Sequence, residues 1–286
     1  MTKRLLTLLV ALVLALAACN GDSADTTTTA AAGATETTQA PTSSGSLLQT
    51  VIDRDSLICG VNDAVPGFGY TDAEGKFSGF DVDFCKAVAA AVLGDASKVQ
   101  YRALTAQQRF TALQSGEIDV LIRNTTWTAS RDGGEGATFL HTTFYDGQGM
   151  MVRADSGITS IEDMANLSVC VLSGTTTELN LAARFGSMPY TPLTFDNNDQ
   201  LQAAFVAGQC DGWTSDKSQL AGVRSNFPDA DGGPSALVIL DETFSKEPLG
   251  PVVADGDSQW AQVVDWVALA TIQAEEFGID SSNVSS

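Results

Sequence analysis

Residues 112–123 read Ala-Leu-Gln-Ser-Gly-Glu-Ile-Asp-Val-Leu-Ile-Arg. The first part of this stretch ends a predicted helix at Gly116, because glycine readily takes the backbone conformation that stops a helix. The last part, Asp119–Ile122, is a short apolar run of the kind that forms a buried parallel strand. The same order recurs later, where Gly208-Gln209-Cys210-Asp211 leads from a predicted helix over 199–207 into a strand over 210–213. This repeated junction predicts two similar α/β units.

Around this repeat the chain alternates between predicted strands and helices. The strands are predicted over 57–61, 99–104, 119–122, 167–172, 191–195 and 210–213. The helices are predicted over 81–93, 106–115, 177–185, 199–207 and 260–277. Such alternation is typical of βαβ units built on a parallel sheet with right-handed crossovers. We therefore predict two α/β lobes, with residues 148–153 and 248–254 as extended connectors between them.

The composition excludes one class of partner. The 286 residues include 15 basic and 35 acidic ones and carry a net charge of −20. Nucleic acid is therefore not expected as a partner, because phosphate binding needs clustered lysine and arginine. The length suits one large domain or two lobes of ordinary size.

The N-terminus predicts export. Two basic residues precede an apolar run over 5–17, which is shorter than the roughly 20 residues of a membrane-spanning helix. Such a segment is typical of a secretory signal peptide, here residues 1–18. The sequence Leu16-Ala17-Ala18-Cys19 resembles a bacterial lipobox, which predicts that Cys19 is lipidated and anchors the protein to the membrane. The alternative is a plain signal peptide with an incidental cysteine.

Residues 19–46 are predicted to be a lipidated cysteine followed by a tether. The segment after Cys19 is dominated by Thr, Ala, Ser and Gly and has no apolar period. A segment of that composition cannot bury enough apolar surface to offset its ordering entropy. We expect it to let a folded domain reach away from the membrane.

Four further cysteines predict two disulfides. An even number of cysteines in an exported protein favours disulfide bonds, and four cysteines allow three pairings. We favour Cys59–Cys85 and Cys170–Cys210, because each pair then lies within one lobe. Metal binding is the alternative. It is weaker because the sequence has no Cys-x-x-Cys motif and a single histidine, His141, so neither a metal nor another cofactor is expected.

Several long motifs occur in an order that resembles a known family. They are Gly79-Phe80-Asp81-Val82-Asp83, residues 112–119, Arg123-Asn124-Thr125-Thr126-Trp127-Thr128-Ala129-Ser130-Arg131, residues 173–181 and residues 245–251. The chain resembles the polar amino-acid-binding family of ABC transporter solute-binding proteins (family 3), and within it the general L-amino-acid-binding branch. The resemblance covers about residue 55 to the end.

The resemblance implies an α/β fold of two Rossmann-like lobes joined by a two-strand hinge, the type II periplasmic-binding-protein fold. Lobe 1 is expected over 47–149 and 251–286, and lobe 2 over 150–250. The implied function is that of an extracytoplasmic, lipid-anchored binding protein. It would hold free L-amino acids, with broad specificity, in the cleft between the lobes and pass them to the membrane permease subunits of an ABC importer. We expect a monomer and no enzymatic activity.

Two other functions remain open on the same fold. An exported dehydratase would need a general acid in a tuned site, and the sequence has no Ser-His-Asp set and no metal cluster. An amino-acid-sensing receptor ectodomain would normally be followed by a membrane span and a signalling domain. Turnover of a candidate substrate distinguishes the enzyme from the binding protein.

The expected ligand is a zwitterion, and burial of its charges is costly unless each is paired. Arg131 is the one cation that the sequence places at the site, where it would hold the α-carboxylate through two hydrogen bonds. Thr126 lies on the same loop and would add a hydroxyl and an N–H. The alternative for Arg131 is a surface arginine at a helix start.

Residues 173–177 lie between a strand and a helix, and Thr175 with Glu178 has the spacing of a capping box. The free N–H groups of such a helix start attract anions. An ordinary capped helix is the alternative. The resemblance implies that Thr175 and Thr176 close over the ligand carboxylate from the second lobe.

The resemblance also implies roles for four other residues. Asp216 would pair with the ligand ammonium, although a helix N-cap is its alternative role. Asn124 would offer its backbone carbonyl to the ammonium. Asp63 would face the ligand side chain, or else be an ordinary turn residue. Trp127 would form an apolar wall, with a packed core tryptophan as its alternative.

The chain departs from the family at two places. Several members carry an aromatic residue that covers the ligand at a position corresponding to about Ala106. Here the aromatic cover is expected from elsewhere, with Phe68 as the candidate, or else the pocket is wider and the specificity broader. Relatives also usually continue with further helix beyond the position of Ser286.

Overall fold

The computed structural model describes residues 46–284. The predicted signal peptide, Cys19 and nearly all of the predicted tether lie outside the described residues. The first half contains α1 (Leu47–Arg54), β1 (Leu57–Val61), β2 (Ala64–Val65), β3 (Gly69–Thr71), β4 (Phe77–Ser78), α2 (Phe80–Leu93), β5 (Val99–Ala103), α3 (Arg109–Gln114), β6 (Val120–Leu121), α4 (Ala129–Gly134), β7 (Ala137–Phe139) and β8 (Phe144–Asp146). The second half contains β9 (Gln148–Arg153), β10 (Ser168–Leu172), α5 (Thr176–Arg184), β11 (Thr191–Phe195), α6 (Asn198–Val206), β12 (Gly212–Asp216), α7 (Lys217–Ser225), β13 (Leu237–Ile239), β14 (Glu247–Leu249), β15 (Val252–Ala254) and α8 (Ser258–Glu276). Short 3-10 helices lie at Glu162–Met164, Asp229–Asp231 and Pro234–Ala236.

Two five-stranded sheets organise the two lobes. In the first sheet the strand order is β5-β1-β6-β15-β7, and in the second it is β11-β10-β12-β9-β13. The central strand of each βαβ set, β1 or β10, is parallel to both of its neighbours, whereas β15 and β9 run antiparallel to theirs. The predicted α/β fold of two Rossmann-like lobes is therefore confirmed.

The hinge is a pair of crossing strands. β8 and β14 pair antiparallel, with Tyr145 opposite Pro248, at the two places where the chain passes between the sheets. The predicted connectors over 148–153 and 248–254 are therefore wrong in part. Gln148–Arg153 is a strand of the second sheet, and Val252–Ala254 is a strand of the first. An extended apolar run has the same sequence pattern whether it crosses between sheets or pairs within one.

The helices follow the predicted periodicity except at one start. Helix α2 buries the predicted face of Val82, Cys85, Val88 and Ala89, and it begins after Gly79, where a Cβ would lie 2.3 Å from the backbone oxygen of Phe68. Helix α3 was predicted from residue 106 but begins at Arg109. Thr105 and Gln108 exchange side-chain to backbone hydrogen bonds of 3.1 and 3.3 Å, which hold residues 106–108 in a turn.

Each lobe has its own core and its own disulfide. Cys59–Cys85 joins β1 to α2 with a Cα–Cα distance of 6.1 Å, and Cys170–Cys210 joins β10 to the approach to β12 with a distance of 5.7 Å. Both predicted pairings are therefore present, and neither crosses between the lobes. In the chain-entropy model a crosslink over a loop of this size stabilises the fold by about 3–4 kcal/mol.

Candidate ligand-binding site

The carboxyl ends of the parallel strands of both sheets face each other across the cleft. Ligands of open α/β folds bind at this edge of the sheet. A small cavity lies there, which we call the cleft cavity, with a volume of about 20 Å³. Both lobes contribute to its lining, which consists of Asn62, Arg109, Arg123, Asn124, Thr126, Arg131, Leu172, Thr175, Thr176, Thr177, Ser215, Asp216 and Gln219.

The two lobes are closed over the cleft cavity. Hydrogen bonds cross between them from Arg109 Nη2 to the Gly174 carbonyl at 3.3 Å and between the Thr126 and Thr176 hydroxyls at 3.3 Å. Asn124 Nδ2 also donates to Gln219 Oε1 at 3.4 Å. A cavity of this size has room for about one water molecule. An organic ligand therefore enters only when the lobes move apart.

Arg131 lies on the first turns of α4, whose N-cap is the Thr128 side chain. Its side chain is buried, its Nη1 donates to the Thr126 carbonyl at 2.9 Å, and its guanidinium lies 5.7 Å from the centre of the Phe110 ring. Burial lowers the pKa of Arg131, whereas Glu247 and Asp216 raise it. Arginine stays charged in proteins. Arg131 therefore presents a fixed positive charge to the cleft cavity.

Two further buried arginines line the cleft cavity, and the sequence analysis missed both. Arg109 is 3% exposed, and burial together with the nearby charges of Arg131 and Arg123 lowers its pKa well below the usual range. Arg123 is 5% exposed, its Nε donates to the Leu104 carbonyl at 2.6 Å, and burial lowers its pKa to about 10. The site thus holds three cations where one was predicted.

A signal for Arg109 exists in the sequence. Arg109 shares the i, i+3, i+4 face of α3 with Ala112 and Leu113, which are both buried. A charge on an apolar face is uncommon unless the charge is paired or functional. Arg123 directly follows a buried strand, at the edge where ligands bind.

Asp216 places a buried carboxylate at the cleft cavity. It occupies the N-cap position of α7, yet its side chain makes no capping hydrogen bond to that helix. It is 5% exposed, and its Oδ1 is buried without a hydrogen-bond partner among the described residues. Burial and the neighbouring carboxylates Asp146 and Glu247 raise its pKa well above the usual range. A cationic group placed here would satisfy this oxygen and stabilise its charge.

The cleft cavity is lined by an unpaired donor as well as by the unpaired acceptor of Asp216. Arg109 Nε is also buried without a partner among the described residues. No other described residue that lines the cleft cavity has a buried side-chain atom in this condition. Buried polar atoms are rarely left unpaired in native proteins, and each such atom is costly. The cavity therefore fits a molecule with both an acceptor and a donor.

The N-terminus of α5 closes the second-lobe side of the site. The Thr175 hydroxyl caps the helix by accepting from the Glu178 N–H at 3.0 Å, and it also donates to the Leu172 carbonyl at 2.7 Å. The Thr176 hydroxyl donates to Glu247 Oε2, a buried hinge carboxylate, at 2.8 Å. The Thr175 hydroxyl therefore caps the helix, which is the alternative role given for this segment in the sequence analysis. The helix start nevertheless lines the cavity.

Asn124 has a strained backbone at the centre of the site. Its φ of 32° lies in the left-handed region, which residues other than glycine enter mainly where the surrounding structure holds them. Its N–H donates to Asp81 Oδ2 at 2.6 Å. Burial, opposed by this hydrogen bond and by Arg123, raises the pKa of Asp81 to about 6.

The structure brings six of the predicted ligand-binding residues together and separates two. The six that line the cleft cavity are Asn124, Thr126, Arg131, Thr175, Thr176 and Asp216. The Trp127 side chain is 41% exposed and stacks on Phe139 with a ring separation of 6.2 Å, outside this cavity. Adjacent side chains on an extended segment point to opposite sides. Because Thr126 points inward, Trp127 points outward and does not line the cleft cavity, so its role as an apolar wall stays a prediction.

Asp63 and Phe68 also lie apart from the cleft cavity. Asp63 lines a neighbouring cavity instead. Phe68 is buried in an aromatic cluster, edge-on to Phe80 and Phe144, so it is not a cover for the ligand. None of the described residues that line the cleft cavity is aromatic. Ala106 is buried and borders an outer cavity of about 570 Å³ that also touches Arg131.

Residues 46–284 contain neither a metal-binding cluster nor a membrane-spanning helix. No group of three or more His, Cys, Asp or Glu side chains in this range is placed to hold a metal ion. Within the same range, no helix is both long enough and apolar enough to cross a membrane.

A two-lobed α/β fold with a charged cleft at its hinge is typical of solute-binding proteins. Residues 57–277 match the family described as bacterial extracellular solute-binding proteins, family 3. The chain belongs to this family.

Relatives in the family are transporter-binding proteins. The putative amino-acid ABC transporter-binding protein YhdW of Escherichia coli (strain K12) is 49% identical over 243 residues, which are 84% of this chain and 70% of that protein. The general L-amino acid-binding periplasmic protein AapJ of Rhizobium johnstonii is 49% identical over 247 residues, which are 86% and 71% of the two chains. The chain is accordingly an extracytoplasmic solute-binding protein of the ABC transporter type and not an enzyme.

A solved structure supports the same family assignment. The ABC transporter / periplasmic binding protein from Brucella ovis, described with glutathione bound, superimposes with a TM-score of 0.80 and is 47% identical. The match covers 84% of this chain and 75% of that one.

Proposed function

We propose that this protein binds free L-amino acids, with broad specificity, in the cleft cavity and delivers them to the membrane permease subunits of an ABC importer. The observation that supports the proposal is that Arg109, with an unpaired donor, and Asp216, with an unpaired acceptor, line the same buried cavity. A zwitterion supplies one group of each kind. A ligand with a single charge would leave one of the two atoms unpaired.

Each end of the ligand has its own set of residues in this proposal. The α-carboxylate lies against Arg131, the Thr126 hydroxyl and the start of α5 at Thr175 and Thr176. Charge-assisted hydrogen bonds to arginine and the dipole of the helix replace its lost hydration. The ammonium lies against Asp216 and the carbonyl of Asn124. Arg109 adds a second donor for the carboxylate.

The relatives support the class of ligand. AapJ is named a general L-amino acid-binding protein and YhdW a putative amino-acid binding protein, and both are about half identical to this chain. Breadth of specificity agrees with a cavity that no described aromatic residue covers. Asp63 lies beyond this cavity, where it would contact only a ligand with a long side chain.

A ligand larger than a free amino acid is the second candidate. The related Brucella ovis protein is described with glutathione bound. The observation that favours such a ligand here is a neighbouring cavity of about 220 Å³, which shares Asn62 and Arg123 with the cleft cavity.

The location on the membrane is also part of the proposal. Residues 1–18 are removed as a signal peptide, Cys19 is lipidated, and residues 19–46 tether a monomeric binding domain. Lobe 1 extends over 47–149 and 251–286, and lobe 2 over 150–250. Expression of the wild type and of Cys19→Ser with a labelled fatty acid tests whether Cys19 is lipidated. Only the wild type should be labelled, and equal labelling of both proteins would contradict the lipid anchor.

A thermal-shift screen of the purified protein against the twenty L-amino acids tests the function. Ligands that bind only the folded state raise its melting temperature when their concentration is far above Kd. We expect several L-amino acids to do so and their D-enantiomers to have little effect. Asp216→Asn should reduce every shift, because the ammonium then lacks its counter-charge. Absence of any shift in the wild type would contradict the proposal.

A further inference from the structure

The hinge contains a buried carboxylate, Glu247, that does not line the cleft cavity. Glu247 is the first residue of β14 and is 1% exposed. A buried charge is costly unless it is paired or hydrogen-bonded. The two oxygens of Glu247 accept hydrogen bonds from three side chains, those of Thr176, Asn180 and Ser245. The hinge thus holds a charge that none of the assigned ligand contacts uses.

Two of these hydrogen bonds hold one turn of α5. Oε2 of Glu247 accepts from the Thr176 hydroxyl at 2.8 Å, and Oε1 accepts from Asn180 Nδ2 at 2.8 Å. Residues four apart are neighbours on one face of a helix. A single carboxylate therefore holds the helix at two points, which fixes its rotation as well as its position. We call these two hydrogen bonds the hinge–helix contact.

The hinge–helix contact also sets the direction of a hydrogen bond between the lobes. A threonine hydroxyl has one hydrogen to donate. Because Thr176 donates it to Glu247, the Thr176 hydroxyl accepts from Thr126 in the contact of 3.3 Å between the two. The second lobe then offers a ligand carboxylate the N–H groups at the start of α5, which have no partner within the helix. The orientation of α5 decides where those N–H groups point.

The next two residues of β14 hold the first-lobe half of the site. The Pro248 carbonyl accepts from the Trp127 N–H at 2.8 Å, and Leu249 forms an isolated β-bridge with Thr126. Three consecutive hinge residues thus contact the Thr126 segment of one lobe and the start of α5 in the other. These are two of the segments to which the ligand α-carboxylate is assigned.

We propose that Glu247 is a positioning residue for the α-carboxylate end of the ligand. It fixes the start of α5 relative to the hinge, so that closure brings the N–H groups of the helix to the same place as Arg131 and the Thr126 hydroxyl. The charge of Glu247 opposes that of a carboxylate, so its contribution comes from placement and not from attraction. The inference rests on the proposed function, which assigns the carboxylate to this end of the cleft cavity.

A substitution on the helix side tests the hinge–helix contact without touching the ligand site. Asn180 is half-buried and does not line the cleft cavity. Asn180→Asp keeps the size of the side chain but places a second carboxylate against Glu247, and at about pH 8 the two charges should repel each other. We expect isothermal titration with L-glutamine to show binding weaker than that of the wild type by about tenfold or more.

Leu179→Asp is the matched control. It adds the same charge one residue earlier on α5, at an exposed position that lies outside the cleft cavity. Exposed charges are screened by solvent and contribute little to binding. Leu179→Asp should therefore bind L-glutamine within about threefold of the wild type.

Exchange of the two groups should restore the contact. In the double variant Asn180→Asp/Glu247→Gln the new amide donates to the new carboxylate, its oxygen still accepts from Thr176, and the net charge equals that of the wild type. We expect this variant to bind L-glutamine within about fivefold of the wild type, a recovery that a general weakening of the fold would not give. Stopped-flow tryptophan fluorescence should assign the loss in Asn180→Asp to faster dissociation, because the contact acts in the closed complex.

Melting temperatures verify that the variants are folded. If Asn180→Asp does not fold, Asn180→Leu removes the same donor without adding a charge and should still weaken binding by about threefold or more. Three results would overturn the inference: affinity within threefold of the wild type for the folded Asn180 variant, an equal loss in Leu179→Asp, or a folded double variant as weak as Asn180→Asp. If the wild type binds another amino acid but not L-glutamine, the amino acid with the largest thermal shift is the probe. Absence of binding by every amino acid would instead remove the proposed function itself.

Discussion

A glycine on α7 sets how closely the lobes approach. A Cβ added at Gly222 would lie 2.2 Å from the backbone oxygen of Pro66, which belongs to the turn between β2 and β3 in the other lobe. Both sides of this contact are backbone, one within a helix and one within a hairpin turn. Ordinary van der Waals contact begins at 3.4 Å. Gly222→Ala therefore requires the lobes to separate by about 1 Å at this point.

That separation removes hydrogen bonds that exist only in the closed form. The bond from Asn124 to Gln219, one turn earlier on α7, is already 3.4 Å long, and the bond between Thr126 and Thr176 is 3.3 Å. Neutral hydrogen bonds contribute about 0.5–1.5 kcal/mol each. Loss of both weakens ligand binding by about 1–3 kcal/mol, which is roughly a 5- to 150-fold loss of affinity.

The same substitution should stabilise the fold. Alanine in a helix interior is more favourable than glycine by about 0.5–1 kcal/mol, and the separated lobes relieve the clash. Gly222→Ala should thus raise the free energy of unfolding of the free protein while it weakens ligand binding. Isothermal titration and urea unfolding measure the two quantities, with Ala221→Ser, an exposed neighbour on α7, as control. A variant that binds within twofold of the wild type would refute the role of this contact in closure.

Three further changes test the charges at the site. Arg131→Ala should weaken amino-acid binding by about 2–5 kcal/mol in calorimetry, because it leaves a desolvated carboxylate without its main cation. Arg131→Lys should restore only part of the lost affinity. A loss of affinity below threefold for Arg131→Ala would contradict the assignment of the carboxylate to Arg131. The pKa of Asp81 is about 6 in the folded state against an ordinary 3.8, so the folded state binds this proton more tightly. The free energy of unfolding should therefore fall by about 3 kcal/mol as the pH rises from below 3.8 to above 6. Asp81→Asn should remove that part of the pH dependence in urea titrations, and an unchanged slope would contradict it. Burial raises the pKa of Asp216, and a bound ammonium would lower it, so ligand binding should release a proton and strengthen with rising pH. Calorimetry in two buffers of different ionisation enthalpy measures this release, which should be absent in Asp216→Asn.

Local patterns were sufficient to predict most of the elements. Strand Leu57–Val61 and strand Thr191–Phe195 have the predicted bounds, and α2 buries its predicted apolar face, because periodicity and glycine stops act within a few residues. The start of α3 could not be placed in this way. The reciprocal hydrogen bonds of Thr105 and Gln108 compete with the first turn of the helix, and a propensity argument does not include them.

The binding site could be predicted only in part, and the reason differs from the one that applies to α3. Motif position places a residue on a loop, but it does not say which way the side chain points, so Trp127 was assigned to the site although it stacks outside it on Phe139. Arg109 was missed because its hydrogen bond to Gly174 and its charge interaction with Asp216 both reach the other lobe. Contacts between lobes depend on closure, which no local pattern encodes.

We infer that one ligand satisfies both unpaired atoms, Arg109 Nε and Asp216 Oδ1. The most direct test is isothermal titration of the purified protein with the L-amino acid that raises its melting temperature most, beside two analogues that lack either the α-amino or the α-carboxyl group. We expect micromolar or tighter binding of the amino acid, about −8 kcal/mol or better, and at least a hundredfold weaker binding of each analogue. An analogue that binds as tightly as the amino acid would contradict it.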